Sequence, residues 1–78
     1  MTTDRRERLI IVSKGKASAA ERRFGSRIKF LPSIDGMICQ LSEEESDCFD
    51  RRKDAVDAAR AFKQEAKSRL CDEYGEGI

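Results

Sequence analysis

The chain has 78 residues, of which 40% are charged and 38% hydrophobic, with no tryptophan and no histidine. A domain of this size buries only about 60% of the surface its unfolded chain exposes, so one thin core and a single domain spanning 1–78 are expected. Without histidine the commonest general base and metal ligand is missing, which weighs against catalysis.

The net charge of +1 conceals a segregation along the chain. Met1 to Leu31 holds nine basic residues against three acids, Pro32 to Asp50 holds six acids and no base, and Arg51 to Ile78 is nearly balanced. A nucleic-acid binder shows a clear basic excess, and this chain has one only toward its N-terminal end.

In chain order, Met1 to Glu7 reads as a charged, frayed lead-in without the apolar core of a signal peptide. Arg8 to Ser13 contains Leu9-Ile10-Ile11-Val12, a β-branched run apolar on both sides, and predicts a strand. Lys14-Gly15-Lys16 reads as a turn. Ser18 and Glu21 have capping-box spacing, and Gly25 sits where a helix stop belongs, so Ala19 to Phe24 reads as a short helix or an irregular loop. Arg27-Ile28-Lys29-Phe30-Leu31 alternates and predicts a strand, with Pro32 to Gly36 as the turn and Met37 to Leu41 as the returning strand. Ser42 to Ser46 is a polar tip, after which Asp47-Cys48-Phe49 adds a short further rung.

From Asp50 to Leu70 the period is that of an α-helix. Ala55, Ala59, Phe62, Ala66 and Leu70 recur at helical spacing on one side, with Asp57, Arg60, Gln64 and Lys67 on the other. Asp50 reads as its N-cap, and the mostly alanine stripe lets the helix lie close against a sheet. The expected fold class is α+β, a small antiparallel sheet of three to four strands packed on one long C-terminal helix. Residues 75–78 read as a frayed tail.

The residues give little chemistry. Gly15-Lys16-Ala17-Ser18 lacks both the earlier glycine and the hydroxyl after lysine that a phosphate-binding loop requires. Three separated cysteines, with no Cys-x-x-Cys pair, argue against a zinc site and against a secreted disulfide framework. A two-residue turn at Glu43-Glu44 sets Cys39 and Cys48 opposite one another across a hairpin, as small core residues. Cys71 is the expected exposed thiol. No catalytic residue, metal or cofactor is expected, nor a membrane span, since the longest apolar run is Leu9 to Val12. These features predict a cytoplasmic binding protein.

The candidate binding residues are cations. Arg51, Arg52 and Lys53 fill the first turn of the long helix, where the dipole already presents positive charge, at a cost of about 0.3–1 kcal/mol each. Either they drift on a solvated face, or they form an anion site with the free N–H groups of that turn. Arg27, Lys29 and Gln40 lie on the sheet face left bare, unless the short helix or a second subunit covers it. Glu43, Glu44 and Glu45 are the alternative candidate surface. A thin core and a bare sheet face suggest a homodimer, although a polar sheet face is also stable alone.

Phe49-Asp50 followed by Asp54-Ala55-Val56-Asp57-Ala58-Ala59 resembles the sheet-to-helix junction of the arm domains of phage-type integrases. That resemblance implies a three-stranded sheet whose exposed face enters the DNA major groove, through Arg27, Lys29 and Gln40 here. The chain also resembles, in kind, small phage and mobile-element accessory proteins such as anti-CRISPR inhibitors, which occupy a surface of a nucleoprotein complex. The leading expectation is thus an inhibitor or adaptor docking on a protein or nucleoprotein target through charged patches. DNA binding by the sheet face is the alternative.

Overall fold

The computed structural model describes residues 5–75 and has the order α1 (Arg5–Lys14), β1 (Ala17–Phe24), β2 (Arg27–Ile34), β3 (Met37–Ile38), a 3₁₀ turn at Glu45–Asp47, and α2 (Arg52–Tyr74). The sheet is antiparallel in the order β1-β2-β3, so the protein is α+β with a three-stranded sheet and a long C-terminal helix. The frayed ends expected at 1–4 and 76–78 lie outside the described residues. Residues 5–7, expected to fray, form the first turn of α1.

Two sequence expectations are exchanged. Arg8 to Ser13 is helix rather than strand, because the β-branched run follows Arg5-Arg6-Glu7-Arg8-Leu9, all good helix formers, and gains packing along α2. Ala19 to Phe24 is not helical but lies within β1, whose eight residues pair with the eight of β2 from Ala17↔Ile34 to Phe24↔Arg27. Gly25, with φ 62° ahead of Ser26, makes the tight turn that joins them, so it serves a hairpin and not a helix stop. Tertiary pairing overrides the helix propensity of Ala19 and Ala20.

Pro32 does not sit in a turn. It lies buried in β2, and the turn is Asp35-Gly36, whose positive φ values of 52° and 83° suit a two-residue hairpin. Pro32 also explains why the returning strand stops after two residues instead of running to Leu41. Cys39 donates its N–H to the Pro32 carbonyl at 2.9 Å, but the ring has no N–H to return to Cys39. The ladder ends there, and the chain leaves the sheet. It comes back at Phe49, which exchanges two 2.8 Å backbone bonds with Phe30. Counting along β2, that place opposite Phe30 is the one Leu41 would fill in a continuous strand. The expected rung at Asp47-Cys48-Phe49 is therefore this single bridge to β2.

Register separates the two sheet faces. Ile28, Phe30, Pro32 and Ile34 alternate with Arg27, Lys29, Leu31 and Ser33, and the first set faces the helices. Arg52 of α2 reaches Phe30, and Phe62 of α2 shares a groove with Ile34. The fully buried α2 positions are Ala55, Ala59, Ala66 and Leu70, while Phe62 is only half-buried. On the opposite face Leu31 and Ser33 are also buried, and the Ser18 and Ser33 hydroxyls share a 2.7 Å bond. The loop between Cys39 and Asp50 crosses this face.

α2 is longer than expected at its C-terminal end and starts one residue later. Arg51, not Asp50, is its N-cap, and its side chain makes no capping bond. No helix among the described residues is long and apolar enough to cross a membrane.

Candidate binding surface

The acidic segment and the basic sheet face find one another. Arg22 and Lys29, opposite one another in the ladder, bond Glu43 and Asp50, and Arg27 bonds Glu45 at 3.1 Å. Gln40 holds the loop in shape by donating to the Ser42 and Asp47 carbonyls at 2.9 and 3.0 Å. Ser42 adds a 2.5 Å bond to the Asp47 carboxylate. Neither a short helix nor a second subunit is needed to cover this face, because the chain covers it with its own carboxylates.

Of the predicted site residues, Arg27 and Lys29 are thus paired. Lys29 is the more enclosed, with a side chain only 18% exposed. Its hydrogen bond and charge hold the Asp50 carboxyl below the ordinary value of 3.8. Glu43 and Glu45 are spent on the sheet, whereas Glu44 is exposed and makes no ion pair among the described residues.

The three cations at the start of α2 separate. Arg52 lies over the Phe30 ring at 5.0 Å and approaches Glu21 at 3.7 Å, so it ties the helix to the sheet. Arg51 and Lys53 are exposed, with no ion pair among the described residues. Arg23, also exposed, stands two residues beyond Glu21 on the same side of β1. Sequence reasoning passed over Arg22 and Arg23 because the segment read as helix or loop. The signal that identifies them is the equal length of the two runs flanking Gly25-Ser26.

The cysteines are separated. Cys39 contacts the Met37 carbonyl, and Cys48 the Glu43 and Glu44 carbonyls, so the expected tight hairpin with the two thiols facing each other is replaced by the loop. Burial pushes both thiols up, keeping them protonated at neutral pH. Cys71 is exposed. Among the described residues no three Cys, Asp or Glu side chains gather as a metal cage.

No protein-family model, curated protein or solved structure matches this chain.

Proposed function

We propose that the protein is a non-enzymatic adaptor or inhibitor, anti-CRISPR-like in kind, that docks on an acidic or phosphate-bearing surface of a larger protein or nucleoprotein complex. The observation that carries this reading is a contrast among its cations. Those on the sheet face have carboxylate partners within the chain, whereas Arg51 and Lys53 stand exposed at a helix end that offers unbonded N–H groups. These two cations, held where the helix dipole disfavours them, are available to a partner.

A second reading, duplex DNA binding by the sheet, draws on Arg22, Arg27 and Lys29 sharing one face. Three carboxylates already on that face favour the first.

Arg51→Ala combined with Lys53→Glu leaves Arg52 on Phe30, so the fold is expected to hold and the helix start to be slightly firmer. In parallel pull-downs from host extract, the parent should retain a partner that the double variant loses. Equal recovery by both proteins sinks the proposal. Micromolar binding of the parent to generic duplex DNA, with a steep salt slope, moves the assignment to the sheet face.

A further inference from the structure

The edge of the molecule between α1 and β3 holds a groove of about 390 Å³, floored by Ile34 and Phe62. Ile11 and Met37 on its rim are 41% and 50% exposed, large apolar residues left in water beside one another. Leu41 follows two residues after Cys39, which lines the same groove, and is fully exposed because Phe49 has taken its place opposite Phe30. We propose that this edge is a self-association surface, on which a second copy of the chain seats its Leu41 in the groove and receives the first copy's Leu41 in return.

Three features favour a second copy over an unrelated partner. The edge carries both a cavity and a protruding leucine of a size to fill it, and a surface that is complementary to itself closes as a two-fold dimer. Charges match as well: Arg8 at the groove and Glu44, three residues past Leu41, each lack an ion pair among the described residues. The β3 edge is also open. With Cys39 bonded to Pro32, the alternation of an antiparallel ladder turns the Ile38 N–H and C=O outward, toward a neighbouring strand. Among the described residues the buried apolar core is small, Leu31, Ile34, Leu70 and three alanines, and covering this edge would enlarge it.

The experiment is sedimentation equilibrium on a dilution series from millimolar to low micromolar, in reductant so that Cys71 takes no part. The parent should show twice the chain mass at the concentrated end and approach the single-chain mass on dilution. Leu41→Glu should stay at single-chain mass throughout, with the same melting temperature as the diluted parent, because a fully exposed side chain contributes nothing to the monomer. Arg8→Glu should weaken association, and adding Glu44→Arg should restore it. A parent of constant single-chain mass, which includes the case of a groove reserved for a different protein, overturns the proposal. So does a Leu41→Glu variant that associates like the parent, or a charge reversal without rescue.

Discussion

Single residues decide more here than their types suggest. Gly15 ends α1 directly against the sheet. A Cβ on it would fall 2.2 Å from Ile34 Cγ2, 2.9 Å from the Asp35 carboxylate and 3.0 Å from the Ile11 carbonyl. None of these can yield cheaply, because Ile34 is fully buried and the Ile11 carbonyl accepts the Gly15 N–H at 2.9 Å. The Asp35 carboxylate is itself engaged, taking the Lys16 N–H at 2.9 Å. Gly15→Ala should therefore destabilise the protein by about 1–3 kcal/mol, the usual cost of overpacking, instead of gaining the few tenths that alanine often brings. Urea denaturation monitored by circular dichroism measures this. A variant as stable as its parent would mean that α1 does not press on Ile34.

At the scale of elements, periodicity revealed the parts that face one layer and missed those that depend on distant partners. α2 was legible because its stripe from Ala55 to Leu70 repeats over about four turns, and β2 because Arg27 to Leu31 alternates. α1 and β1 were each read as the other kind of element. Ile10 to Val12 is β-branched yet belongs to a helix that packs along α2, and Ala19-Ala20 favours helix yet pairs with Leu31 and Pro32. Of the candidate site, Arg27, Lys29 and the Glu43 to Glu45 run were identified as residues but not as partners. What joins them is the loop, and the loop exists because Pro32 returns no N–H to Cys39. Pro32→Val restores that donor at similar volume. It should extend β3 beyond Ile38 and give position 32 an amide protected from hydrogen exchange. An amide there exchanging as fast as those of the loop would show that the chain leaves the sheet for another reason.

The whole molecule measures 46 × 29 × 18 Å, and its charge segregation in sequence becomes neutralisation in space. The basic N-terminal half supplies the sheet face, the acidic middle folds across it, and Arg51 and Lys53 stay exposed at the start of α2. Each exposed pair is worth only about 0–1 kcal/mol, so the loop is held by several weak ties and its closure should depend on conditions. Asp50 gives the sign of that dependence. Its carboxyl is held below 3.8 first by the hydrogen bond from Lys29 and then by that cation's charge. A folded-state value below the unfolded one stabilises the fold fully at pH above the ordinary aspartate range. The contribution fades as pH falls through that range and is gone below the depressed folded value. Melting temperature should thus be level near neutrality and fall on acidification, and Asp50→Asn should flatten part of that fall while lowering the neutral plateau. The amide cannot offer Lys29 a charge at any pH, so the two proteins should converge in stability at the acid end. If the parent and Asp50→Asn instead run parallel across the whole range, Asp50 does not pin the loop in solution, and Lys29 becomes available to an external anion like Arg51 and Lys53.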